Sequence, residues 1–282
     1  MHLAGSPSYV FAEDASQVAH VALYVRDALG LDVAQDPCTP PALTGSVPDR
    51  RHLIAPETRD QAALQWPSWW AAVVAIEGEE NLGRPPRPSD YESWLANRRP
   101  MGLPPDYEGL WDRPQLQQSV ARIFREADDW TSAARRALQY PVFQSEFQPS
   151  LTTRVAQEVA NAKHVDVGSV HGCVLVLAVE GIWRHQFSPG VALCSQSAAE
   201  ETLEAERVLR GVLSFWFRRI GLLHQRVDVG GSSRATMHLR SAFQLGESCV
   251  LQQVQDPKQD RHFRASTAVS AHQHQSLLQQ AG

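Results

Sequence analysis

The chain has 282 residues, 43% apolar and 20% charged, enough for one large domain or two modest ones and apolar enough to bury a core. A formal charge of −5 and a pI near 6.1 exclude a generally basic surface of the kind that binds nucleic acid or anionic membrane. The longest apolar runs, 69–76 and 173–179, fall short of the roughly 20 residues that span a bilayer.

The start, Met1-His2-Leu3-Ala4-Gly5-Ser6-Pro7, has neither the basic stretch nor the apolar core of an export signal. Cys38, Cys173, Cys194 and Cys249 are scattered, with no CxxC pair. A soluble cytoplasmic protein with reduced thiols is therefore expected.

Residues 13–29 predict a helix: Val18, Val21, Ala22, Val25 and Leu29 recur at helical spacing, and Gly30 follows as a stop. Pro37, Pro40, Pro41 and Pro48 then exclude a long regular element. Pro56 and Glu57 open a second helix through Leu64. Pro67 interrupts it, and 69–76 reads as a buried strand on its β-branched end, Val73, Val74 and Ile76. The competing reading is a helix with Pro67 in its first turn. A loop spans 78–88, residues 89–97 make a short helix, and Pro100, Pro104 and Pro105 break the chain again. Asp112 before Pro114 signals a helix start. That helix carries Leu116, Val120, Ile123, Phe124, Ala127 and Trp130, with continuation or a kink through Leu138. Ser150 is expected to cap the next helix, whose stripe is Val155, Ala156 and Val159.

Residues 173–195 predict a three-stranded antiparallel meander. Strand 173–179 turns at Glu180-Gly181, 182–187 returns, Ser188-Pro189-Gly190 turns again, and 191–195 follows. In this register His185 faces Leu193 and Arg184 faces Cys194. Alternation puts Val174, Val176, Ala178, Trp183, His185, Phe187, Val191 and Leu193 on the face that packs on the next helix. Cys173, Leu175, Leu177, Val179, Ile182, Arg184, Gln186 and Cys194 take the other. Ser197-Ala198-Ala199-Glu200 is a capping box that opens a helix over about 198–219. Its early acids and late arginines suit the macrodipole, and Leu209, Val212, Leu213, Trp216 and Ile220 form its stripe. The apolar-Glu-Gly ending of 73–78 echoes that of 176–181, a pattern that recurs by chance.

The fold class expected is thus α+β. A helix-rich, Pro-punctuated region at 1–149 shares one core with the helix, meander and long helix of 150–230. A polar, partly disordered tail occupies 231–282.

Candidate sites are sparse. His164, Asp166, His171, Cys173, His185 and Cys194 are suitable zinc ligands, but their spacing matches no common zinc pattern. The meander separates His185 from the two cysteines. His164, Asp166 and His171 remain as a loop set for a metal, with solvated loop residues the plainer reading. His185 is expected to be a core histidine whose pKa burial depresses, with catalysis or sensing as the alternative. Glu77 and Glu180 approach each other if their two runs are neighbouring parallel strands, as an acid/base pair requires, although Glu-Gly is ordinary turn chemistry. Trp94, Trp111, Arg98 and Arg99, flanked by prolines and charges, are candidate binding residues. The expected function is a soluble bacterial-type binding or interaction protein, without cofactor, nucleic acid or membrane, whose partner is another protein or a second copy. The alternative is a hydrolase using Glu77 and Glu180 or the His164/Asp166/His171 loop.

Overall fold

Between Val10–Asp14 (β1) and Gln17–Ala28 (α1) stands Ser16, whose Oγ accepts the Ala19 N–H at 3.1 Å and caps the helix. The helix expected from residue 13 therefore starts later, and Glu13 and Asp14 belong to a strand that pairs in parallel with a later one. The structure, a computed structural model, describes residues 9–82, 91–142 and 145–224. The stretch 231–282 expected as a tail lies outside the described residues. Helix α1 is buried along nearly its whole length. His20 within it donates from Nδ1 to the Ser16 carbonyl at 2.7 Å and accepts the Ala178 N–H on Nε2 at 3.0 Å. The neutral ring with its proton on Nδ1 satisfies both bonds and ties α1 to the sheet.

The Pro-rich stretch after α1 is fastened rather than free. Buried Arg26 donates to the Pro40 and Pro41 carbonyls at 2.6 and 2.7 Å and pairs with Asp27 at 2.6 Å. Asp27 in turn accepts the Leu43 N–H at 2.7 Å. Leu43 bridges Val179, and Thr44 donates its N–H to Ala178 at 2.8 Å.

Helix α2 spans Pro56–Asn81 and runs through Pro67, so the strand expected at 69–76 is a helix. Trp66, Trp69, Trp70, Val73, Val74 and Glu77 recur at three and four and are buried. Trp66 Nε1 donates to Ala22 at 2.9 Å, and Trp69 Nε1 to Met101 at 2.8 Å. Those burials outweigh the roughly 3 kcal/mol an interior proline costs. Pro67 itself faces solvent.

Short α3 is Tyr91–Arg98, and α4 is Pro114–Val142, with Leu116, Val120, Ile123 and Ala127 fully buried. Helix α5, Pro149–Lys163, begins on Pro149 with Gln148 before it, so Ser150 is not its cap. Val155, Ala156 and Val159 are buried as expected.

The sheet contains β1, then β2 (His171–Leu177), β3 (Arg184–Ser188) and β4 (Val191–Ser195), in the order β1-β2-β4-β3. Strands β1 and β2 pair in parallel, as do β2 and β4, and β3 pairs antiparallel with β4. The three-stranded meander is thus corrected to a mixed four-stranded sheet, within an α+β molecule. The hairpin register is as expected, with Arg184 opposite Cys194 and His185 opposite Leu193, but an irregularity near Phe187 puts Ser188 opposite Val191. Glu180-Gly181 turns the chain, with Gly181 at φ +71°, without closing a hairpin. The cause lies in β2, whose continuous apolar run is buried on both faces and takes a neighbour on each side, while polar β3 takes the edge.

Alternation within each strand stands, but the phase of β2 against the hairpin is inverted. Cys173, Leu175, Leu177 and Leu193 pack with α1 and α2, and Trp183 and Phe187 join that cluster. Val174, Val176, Ala192 and Cys194 pack with α5, α6 and α7. His185, opposite Leu193, therefore shares a face with Cys173, and Cys194 lies on the other.

The long helix is two. Ser195, not Ser197, caps α6 (Gln196–Glu200), its Oγ accepting the Ala198 N–H at 3.2 Å and the Trp183 N–H at 3.0 Å. Extended Glu201 separates α6 from α7 (Thr202–His224). Leu209, Val212 and Leu213 are buried; the side chains of Trp216 and Ile220 lie outside the described residues. Among the described residues no helix is long and apolar enough to cross a membrane.

Candidate functional site

A cleft of about 600 Å³ opens at the carboxyl end of β1. Asp14 and Gln17 reach it from the β1–α1 junction, Glu77, Glu80 and Asn81 from the end of α2, Arg98 from α3 and Asp128 from α4. Val18, Val21, Leu103 and Phe124 form its apolar wall. Because 69–81 is helical, Glu77, Glu80 and Asn81 fall at i, i+3 and i+4 and share one face.

Glu77 is the most buried of these carboxylates. Burial raises its pKa, a hydrogen bond with the Ser16 side chain and the nearby Arg98 pull it back, and Asp14 and Glu80 add to the rise. Arg98 lies 3.5 Å from Glu77, pairs closely with Glu80, and stacks over the Trp94 ring at 5.1 Å. Asn81 Nδ2 donates to the Glu77 carbonyl at 3.0 Å and reaches Asp14 Oδ2 at 3.4 Å. Gln17 Nε2 donates to Asp128 Oδ1 at 2.5 Å. Four carboxylates thus line one cleft, and two of them, Glu77 and Glu80, face its guanidinium.

Glu180 is not part of this set. It sits in an exposed turn, its N–H bonded to the Ala42 carbonyl at 2.9 Å. The premise of two neighbouring parallel strands fails because Glu77 stands on a helix. His185 is half-buried on the edge strand, its ring 6.2 Å from that of Trp183. Burial lowers its pKa, against the opposing pull of Asp36. His164 ends α5 at φ +56°, Asp166 precedes a short 3-10 turn, and His171 opens β2. Among the described residues no group of three or more His, Cys, Asp or Glu is arranged to hold a metal. Burial first, then Asp14 and Glu77, pushes the Cys173 thiol up to about 12, and burial raises the Cys194 thiol further, so neither is a ready nucleophile.

Of the binding candidates, Arg98 lines the cleft and Trp94 reaches it through Arg98. Arg99 is exposed and pairs with Glu108 at 2.7 Å, and Trp111 is exposed; neither lines the cleft. Trp66, Trp69 and Trp70 are core. Sequence reasoning missed Asp14, Gln17, Asn81 and Asp128. The legible signal was Ser16 as an N-cap directly after a short β-rich run; it would have turned Asp14 towards a helix N-terminus.

No protein-family model, curated protein or solved structure matches this chain.

Proposed function

We propose that this chain is a binding protein whose cleft receives a cationic group of a protein partner. The observation that carries the reading is that Asp14, Glu77, Glu80 and Asp128 line one concave site with an apolar wall, against a single arginine, Arg98. Such a wall takes the methylene stem of an arginine or lysine, and the carboxylates take its head. A site of this sign repels phosphate, so nucleic acid is not the partner. Open sheets often bind at the carboxyl ends of parallel strands, where Asp14 stands. The proposed setting is cytoplasmic, a reading supported by the buried, unbridged thiols of Cys173 and Cys194.

The test is calorimetric titration of the full chain with an arginine-rich peptide and an acidic control peptide. Binding of the basic peptide alone, weakened by salt and by Asp128→Asn, supports the reading. Equal binding of both peptides, or no binding, overturns it. A second reading, a hydrolase with Glu77 as proton donor, is favoured by the burial that raises the Glu77 pKa beside Asp14. A Glu77→Gln variant more stable than the parent and unchanged in peptide affinity favours that second reading.

A further inference from the structure

We propose that Glu13 is a pH-operated latch that docks the segment Ser145–Phe147 against the sheet when neutral and loosens it when ionised. Glu13 lies on β1 opposite Val174, whose side chain packs in the cluster with α5, α6 and α7. Its Oε2 accepts the Ser145 hydroxyl at 3.1 Å, while Oε1 is buried without a hydrogen-bond partner among the described residues. A neutral carboxyl leaves one unsatisfied polar atom there; a carboxylate leaves an under-solvated charge, which is far less favourable.

Among the described residues no cation compensates that charge. From β4 the titratable group near Glu13 is the Cys194 thiol, whose own pKa is raised by burial and by Glu13. Strand β2 presents Val174, and α6 contributes Ala198 and Ala199 to the same cluster. The loop's Glu146 is engaged elsewhere, accepting from Thr202 Oγ1 at 2.9 Å. Among the described residues no arginine, lysine or histidine forms an ion pair with Glu13. Burial accordingly lifts its pKa from 4.5 to about 7, with the Ser145 hydroxyl holding it back.

Among the described residues Ser145–Phe147 has other holds: Thr152 Oγ1 donates to the Phe147 carbonyl at 3.2 Å and Thr202 Oγ1 to Glu146 at 2.9 Å. The Glu146 N–H donates to Ala199 at 2.9 Å, and the Phe147 ring packs 5.9 Å from that of Phe11. Ionised Glu13 draws water to Oε1, and parting Ser145–Phe147 from β1 admits it. The docked form has the raised pKa, so it binds the proton more tightly. Docking is therefore firmest below the ordinary pKa of 4.5 and weakens as pH rises through about 7.

Amide hydrogen exchange of Glu146 in the full chain, corrected for intrinsic base catalysis, tests this. Protection is expected to fall by up to about tenfold per pH unit between the ordinary pKa of 4.5 and about 7 and to level off above it, and to stay flat in Glu13→Gln. Ser145→Ala, which removes the group that lowers the Glu13 pKa, is expected to move that levelling to higher pH. Identical pH profiles in the parent and Glu13→Gln overturn the proposal. Should Glu13→Gln not fold, a carbon-13 titration of the Glu13 carboxyl in the parent and in Ser145→Ala decides. A carboxyl that titrates at its ordinary value in the folded parent also overturns the proposal.

Discussion

The Ser16 side chain accepts the Ala19 N–H at 3.1 Å and bonds to Glu77, while its carbonyl accepts from His20 at 2.7 Å. One residue thus serves the start of α1, the buried acid of the cleft and the histidine that reaches the sheet. Ser16→Ala is expected to lower stability by about 1–2 kcal/mol in urea unfolding. The loss should also grow with pH. Burial raises the folded pKa of Glu77, so its contribution is full below the unfolded value and lost as pH rises through the folded one. Without the Ser16 hydroxyl that pKa rises further, and the decline is steeper. A loss equal at acidic and alkaline pH would show that Ser16 caps α1 without serving Glu77.

At the scale of elements, α2 carries the largest departure from what its residues suggest. Pro67 faces solvent within a 26-residue helix, so its ring packs on nothing that matters while its missing N–H leaves the helix short of a bond. Pro67→Ala is expected to stabilise the protein by about 1 kcal/mol, the gain in the helix being partly offset by a freer unfolded chain. Thermal unfolding checks this; no change would argue against a continuous helix. Gly78 marks the point where α2 meets β4, since an added Cβ would lie 2.7 Å from a Val191 methyl. Gly78→Ala is expected to destabilise by about 1–3 kcal/mol despite alanine's better helix propensity. Val191→Ala in the same chain should recover part of that loss, and a double-mutant cycle measures the coupling.

Across the whole molecule, the Pro-rich stretch after α1 joins distant parts. Arg26 and Asp27 hold its carbonyls and N–H groups, and the stretch covers the end of β2 at Ala178 and Val179. Arg26→Met is expected to lower stability by about 3 kcal/mol, because Asp27 and two carbonyls lose a buried partner. It should also expose the segment after Leu31 to limited proteolysis, which reads the release directly. Much of this architecture was legible in the residues. The spacing of Val18 to Leu29, of Leu116 to Ala127 and of Leu209 to Leu213 each marks a helix face, because side chains one turn apart share a surface. The hairpin register followed from loop length and pleat. The echo of 73–78 and 176–181 shows where local information ends, since nearly the same residues form a helix in one place and a strand with its turn in the other. What surrounds each run decides between them: tryptophans at helical spacing before the first, and strands on both sides of the second. The sequence by itself determined which stretches are apolar on one face, because that depends on neighbours a few positions away. Only the tertiary structure decided that β4 enters beside β2, and that Asp14, Glu77, Arg98 and Asp128 meet. The paired residues of β2 and β4 stand 18 positions apart and Asp14 and Asp128 stand 114 apart, and no periodicity encodes which buried faces find each other.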